Sequence, residues 1–122
     1  MKTLLLILCV LSSSCAYKTV DIVLDPIVVT QMNETYASWT EKGFCVTPGP
    51  NGGVHNVLEG TLFSSPMPLC FPDDIVFHTH AWLAEPFANF ADWGVWAKYK
   101  ERYGNTLFGI MFGEDDYTIY ER

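Results

Sequence analysis

Two histidines separated by one residue offer the clearest chemistry in the sequence. His78 and His80 end the apolar run 75–80 (IVFHTH), which predicts a β-strand. Side chains two positions apart on a strand point to the same face, so the two imidazoles would lie side by side. Neighbouring imidazoles are common zinc ligands, although a His-x-His pair can also be structural or simply exposed. The pair therefore indicates part of a site for a divalent transition metal.

Asp92 is the candidate for a third ligand. It comes twelve residues after His80, near the start of a helix that we expect over 89–103. A strand, a loop and a first helical turn can bring this carboxylate back over the end of the strand. An acidic residue at this position also stabilises a helix start by about 1 kcal/mol, and one side chain can serve both purposes.

The elements that would position these residues follow from periodicity and turn signals. Asp25 and Pro26 predict a helix start, and the apolar face Val29, Met32, Tyr36 and Trp39 extends that helix to residues 41–43. Turn residues at 48–53 and three prolines within 64–74 predict loops, and Gly104 would end the second helix. Strands are expected at 18–24, 44–47, 54–63, 75–80, 107–112 and 117–120. The order β-α-β-β-β-α-β-β predicts an α+β domain with a mixed sheet and two main helices.

The first sixteen residues resemble a secretory signal peptide. Lys2 precedes the apolar run 4–11, and small residues follow it. Cleavage after Ala16 is one possibility, and cleavage before Cys15 with lipid attachment, as in bacterial lipoproteins, is the other. The first route leaves a chain that begins at residue 17 and the second a chain that begins at Cys15; both give 17–122 as a single exported domain that is secreted, periplasmic or lipid-anchored at the cell envelope.

Composition excludes some partners. The 122 residues carry 7 Lys+Arg and 14 Asp+Glu, a formal net charge of −7, so a basic surface for nucleic acid is not expected. No apolar stretch reaches the roughly 18 residues of a membrane span. An acidic, small domain of this kind is expected to be a monomer. Cys45 and Cys70 would both remain in the exported domain, and spacing alone does not decide whether they pair.

Taken together, these residues resemble the JAMM/MPN+ (JAB1/MPN/Mov34) metalloprotease family. The segment 40–46 (TEKGFCV) is similar to the family's glutamate segment, His78-Thr79-His80 matches its histidine pair, and Asp92 matches its third zinc ligand. Asn89 stands where the family has a serine. The resemblance covers about residues 20–120 and implies a JAMM/MPN-like, cytidine-deaminase-like architecture.

The resemblance also implies a mechanism. Zn²⁺ would be held by His78, His80 and Asp92, and would lower the pKa of a bound water toward about 7. Glu41 would act as the general base, and Asn89 would donate to the developing oxyanion. The implied activity is hydrolysis of a peptide or isopeptide bond in a peptide, a protein or cell-wall peptide.

Weaker candidates and a second class of function stay open on the sequence. Glu59 is an alternative base, His55 is expected to be exposed, and Asp73 and Asp74 are expected to be solvated turn carboxylates. The alternative function is a non-catalytic JAMM/MPN-fold domain, a secreted or lipid-anchored binding or inhibitor protein. Retention of both histidines, Asp92 and Glu41 favours the enzyme, whereas Asn89 and the short chain favour the binding protein.

Overall fold

The structure, a computed structural model, describes residues 18–62, 64–81 and 90–121. The predicted signal peptide 1–16, Cys15 and Asn89 lie outside the described residues. The strands are β1 (Lys18–Val20), β2 (Lys42–Thr47), β3 (Gly53–Glu59), β4 (Ile75–Thr79), β5 (Leu107–Gly113) and β6 (Asp116–Glu121); the helices are α1 (Pro26–Thr35) and α2 (Phe90–Tyr103).

The six strands form one mixed sheet in the order β1-β6-β5-β4-β2-β3. Strands β4 and β5 are parallel, and the other neighbouring pairs are antiparallel. A parallel pair requires a crossover connection, which α2 provides between β4 and β5. The predicted α+β class, element order, mixed sheet and two main helices are therefore confirmed.

The sheet has a separate apolar core on each face. Phe77 of β4 packs in one core with Met32 of α1, whereas Val76 packs in the other with Trp96 of α2. All five residues of β4 are buried, as expected for a central strand covered on both faces. Even-numbered β4 residues therefore point toward α2, which sets the direction of His78.

Helix α1 begins as predicted and ends earlier. The Asp25 carboxylate accepts a hydrogen bond from the Ile27 N–H at 3.0 Å, and Pro26 fills the first helical position. The helix ends at Thr35 because Tyr36 adopts an extended conformation. The predicted extension to 41–43 is wrong: Trp39 is 71% exposed, and Lys42 lies in β2.

The other departures are smaller. Strand β1 stops at Val20 rather than at residue 24, and β3 ends at Glu59 rather than at residue 63. Gly104 follows α2 with a φ of 82°, the left-handed conformation expected of a helix-ending glycine. Across the described residues, no helix has the length and apolarity to span a membrane.

A disulfide joins Cys45 to Cys70 and settles the pairing that the sequence left open. It attaches the loop 64–74 to β2. Close packing supports the same attachment, because a Cβ on Gly43 would lie 2.1 Å from the Pro66 carbonyl oxygen. The loop therefore lies directly against β2 on the face that also carries His78.

Candidate functional site

The candidate metal ligands meet where β4 ends and α2 begins. His78 is on β4, His80 follows the strand, and Asp92 lies in the first turn of α2. The His80 backbone N–H donates to the Met111 carbonyl at 2.7 Å and so continues the ladder with β5 beyond the strand. The crossover therefore brings a helical carboxylate over two strand histidines, the placement that the sequence predicts.

The Asp92 carboxylate faces both imidazoles. Its Oδ2 lies 3.1 Å from His80 Nε2, and its Oδ1 lies 3.6 Å from His78 Nδ1. All three side chains are buried, with exposed fractions between 3% and 8%. A carboxylate in the first turn of α2 is also stabilised by the helix dipole.

Glu41 joins this group from the neighbouring strand. Its Oε2 accepts a hydrogen bond from the Ala81 N–H at 3.2 Å, next to His80, and its side chain is buried. The Glu41 N–H donates to Thr61 at 2.7 Å, and its carbonyl accepts from Gly60 at 2.8 Å. The glutamate therefore extends the β2–β3 pairing and is not the solvated helix-terminal carboxylate that an extended α1 would give.

One ring nitrogen of the site has no partner within the described chain. His78 Nε2 is buried and makes no hydrogen bond, while the ring packs edge-on against Phe108 with centroids 5.2 Å apart. Buried polar atoms are normally satisfied, so an unpaired one needs an explanation such as an ion or a ligand. Two imidazoles and a carboxylate are donor types that zinc takes in proteins, so the three residues fit this metal by their chemistry, with His78 Nδ1 as the ring nitrogen that faces Asp92.

Tyr36, which the sequence predicted only as part of an apolar helix face, makes hydrogen bonds to the backbone beside the site. Its hydroxyl lies 3.2 Å from both the His80 and the Phe112 carbonyl oxygens and donates toward them. Burial, followed by the negative charge of Asp116, raises the pKa of Tyr36. Tyr36 therefore stays protonated at neutral pH and links the chain after β4 to the end of β5.

The other residues that the sequence predicted for the site do not all lie near the histidines. Glu59 is largely exposed, and its Oε1 lies 3.7 Å from Lys42 Nζ, so the structure does not bring it to the histidines. Asn89, the predicted oxyanion donor, lies outside the described residues. Glu41, His78, His80 and Asp92 are the predicted site residues that the structure brings together.

A second polar cluster lies at the opposite end of β4, where the sequence predicted only solvent-facing groups. Asp74 is 2% exposed, so its predicted solvation is wrong. Its carboxylate accepts from Thr47 Oγ1 at 2.7 Å and from the Phe71 N–H at 2.9 Å, and lies 3.1 Å from His55 Nε2. His55 is only partly exposed. Little in the sequence indicated this cluster, because Thr47, His55 and Asp74 belong to three different segments.

Comparisons with protein-family models, curated proteins and solved structures give no match for this chain. The function therefore has to be inferred from the residues of the site and their geometry.

Proposed function

We propose that this chain is an exported zinc-dependent metallopeptidase of JAMM/MPN-like architecture, which hydrolyses a peptide or isopeptide bond. The observation that carries the proposal is the buried group at the end of β4. There the Asp92 carboxylate faces both His80 and His78, and the Glu41 carboxylate lies one residue away at Ala81. Nitrogen and carboxylate ligands beside a separate carboxylate base are typical of metal-assisted hydrolysis.

The residues of the site have three roles in this proposal: metal ligand, general base and oxyanion donor. His78, His80 and Asp92 would hold the metal. When bound, zinc supplies a Lewis acid that acidifies a water and polarises a scissile carbonyl. Glu41 accepts the proton of the attacking water and returns it to the leaving amine. Asn89 is proposed to donate to the oxyanion.

The hydrogen bonds that hold the end of β4 suit this role. The His80 N–H bonds to β5, and Tyr36 bonds to the carbonyls of both strand ends. These bonds restrict the backbone that carries both histidines, and such restriction reduces the reorganisation needed to bind an ion. The order of the elements also fits the JAMM-like architecture, with a glutamate before β2, one histidine on β4 and one just after it, and an aspartate on the crossover helix.

The proposed location outside the cytosol is supported by the Cys45–Cys70 disulfide. Disulfides form and persist mainly in oxidising compartments. Peptide cross-links of a cell wall, or an envelope protein, are the substrates that this location suggests.

The alternative, a non-catalytic binding or inhibitor domain of the same architecture, is favoured by one observation. The four polar side chains are buried, and a hydrolase must admit its substrate to them. In this alternative, the histidines and Asp92 form a structural cluster that holds α2 against β4.

Zinc content and hydrolysis of the purified protein distinguish these functions. We expect one zinc per chain, and cleavage within a panel of peptide, isopeptide-linked and cell-wall peptide substrates. His80→Ala should lose both the zinc and the cleavage. His55→Ala is the matched control, because His55 also lies 3.1 Å from a carboxylate, and it should keep both. Absence of zinc after reconstitution would overturn the proposed enzymatic function and leave the alternative, a non-catalytic binding domain.

A further inference from the structure

The disulfide lies beside a buried carboxylate, and the three groups together have the composition of a metal site. The sulfur atoms of Cys45 and Cys70 and a carboxylate oxygen of Asp74 lie within 4.8 Å of one another. Thiolate sulfur and carboxylate oxygen are both zinc ligands. In the oxidised chain the two sulfurs are bonded to each other, so they cannot act as thiolate ligands.

We propose that the dithiol form of the chain contains a second metal site, in which Cys45, Cys70 and Asp74 bind a zinc ion that the disulfide form does not bind. The site lies at the end of β4 opposite His80. It uses none of the residues of the proposed catalytic site, so it does not depend on the proposed function.

The Asp74 carboxylate is buried beside the two sulfurs and is held in place by its neighbours. Its side chain is 2% exposed, and its oxygens are held by the Thr47 hydroxyl and the Phe71 N–H. His55 Nε2 lies 3.1 Å from Oδ2 and supports the carboxylate from the side. Hydrogen bonds from an outer ring of residues orient ligating side chains and contribute to metal affinity. A divalent cation would also compensate the negative charge of two buried thiolates next to a carboxylate.

The conversion between the two forms is a balanced exchange. Two thiol molecules reduce the bond: the Cys45–Cys70 S–S bond breaks, the two reductant sulfurs join in a new S–S bond, and their two protons pass to the cysteines. Metal binding then releases those two protons to solvent. Reducing compartments keep thiols reduced, so the site would exist in the chain before its disulfide forms.

Zinc titration of the full chain in both redox states tests the proposal. A phosphine reductant is suitable, because it opens the disulfide and leaves as the phosphine oxide without adding a thiol ligand. Reduced wild-type protein should bind one zinc more than oxidised protein. In a His80→Ala background, which lacks the first proposed site, the count should rise from zero to one on reduction.

Substitutions identify the ligands. Adding Asp74→Asn to the His80→Ala background should weaken zinc binding by the reduced chain at least tenfold, while Asp73→Asn, at the exposed neighbouring position, should leave it unchanged. Cys45→Ala/Cys70→Ala should abolish the extra zinc. Thiolates of an unfolded chain would bind zinc without Asp74, so equal affinities of the two aspartate variants would overturn the proposal.

The same zinc count in both redox states would also overturn the proposal. The proposed function is tested separately by the zinc of the oxidised wild-type chain. If the wild-type chain binds no zinc when oxidised and one zinc when reduced, the result would contradict the proposed enzymatic function and support this second site.

Discussion

Strand β4 has a carboxylate–histidine pair at each end, and the two pairs differ in how completely their polar atoms are satisfied. Asp74, before the strand, accepts bonds from Thr47 and Phe71 and lies next to His55, beside a disulfide. At the other end, Asp92 lies against His80, while the buried His78 Nε2 has no partner among the described residues.

This difference indicates different uses of similar groups. A buried network whose bonds are made within the protein stabilises the fold, whereas a buried polar atom without a partner costs free energy unless a ligand satisfies it. In the oxidised chain, the Asp74 end is therefore expected to serve stability. The His80 end is expected to serve binding and chemistry.

The largest expected effect is on catalysis, at the His80 end. Glu41→Gln should lower kcat by a factor of roughly 10² to 10⁴, because the amide cannot accept the water's proton. Its oxygen can still accept the Ala81 N–H, so zinc content and stability should stay near wild type. Glu59→Gln is the control, because the Glu59 side chain is exposed and forms an ion pair with Lys42. This variant should retain full activity.

The assay should report steady-state hydrolysis beside the zinc content of each variant. Full activity in Glu41→Gln with zinc bound would show that Glu41 is not the base, and would remove the functional contrast between the two ends of β4.

The next effect is on stability, at the Asp74 end. Replacing Cys45 and Cys70 by alanine should lower the free energy of unfolding by about 3 kcal/mol, the value expected for a loop of this size; the two cysteines are 25 residues apart. Urea unfolding measures the loss. Zinc binding by the oxidised wild type and by the variant should be equal, because the disulfide and His80 lie at opposite ends of β4. Loss of the His80-end zinc in the variant would mean that the two ends are coupled.

The His80 end was the more predictable of the two from the sequence. The run 75–80 has three apolar residues followed by His-Thr-His, so its strand and the shared face of His78 and His80 follow from local pattern. Asp92 lies in the first turn of a helix that the spacing of its aromatic residues predicts. Its contact with His80 required only that the helix return to the strand that precedes it.

The Asp74 end was not predictable in this way. Asp73-Asp74 follows a proline-rich loop and resembles a solvated turn, and Asp74 is buried only because residues 27 and 19 positions earlier bond to it. Trp39 illustrates the same limit. It continues the helical spacing of Met32 and Tyr36, but Tyr36 turns toward the His80 and Phe112 carbonyls, and α1 ends there. Tertiary hydrogen bonds override local periodicity at both places.

A smaller effect is expected where the loop 64–74 crosses β2 at Gly43, the residue opposite His78 near the His80 end of β4. Gly43→Ala should cost about 2 kcal/mol, because the new Cβ would lie 2.1 Å from the Pro66 carbonyl oxygen and 2.8 Å from Pro68 Cδ. Gly94→Ala in α2 is the matched control, since an added Cβ there would meet no heavy atom within 4 Å among the described residues outside its own helix backbone and chain neighbours. It should stabilise the protein by up to about 1 kcal/mol through helix propensity.

Thermal unfolding of both glycine variants measures the expected loss of stability in Gly43→Ala and the expected gain in Gly94→Ala. If Gly43→Ala were neutral, the loop would not be packed on β2, and the disulfide alone would attach it.

The smallest effect at neutral pH concerns two tyrosines. Tyr36 supports the His80 end, and Tyr99 lies in the core cluster that includes the disulfide. Burial, with a smaller contribution from Tyr103, raises the pKa of Tyr99 from 10.0 to about 12. The unfolded chain therefore loses this proton at lower pH than the folded chain. Its contribution to stability is complete below pH 10 and is lost as the pH rises toward 12.

Tyr99→Phe should therefore change the free energy of unfolding by less than about 1 kcal/mol at pH 7, because it removes a buried hydroxyl that has no hydrogen-bond partner among the described residues. Between pH 10 and 12, the variant should lose stability less steeply than wild type.

Tyr36→Phe should also reduce the loss of stability at alkaline pH, since the pKa of Tyr36 is raised as well. It should weaken zinc binding, because it removes the hydrogen bonds to the His80 and Phe112 carbonyls. Urea midpoints measured from pH 7 to 12, beside zinc titrations at pH 7, separate the two variants. Equal zinc affinities would show that the Tyr36 bonds do not support the His80 end of β4.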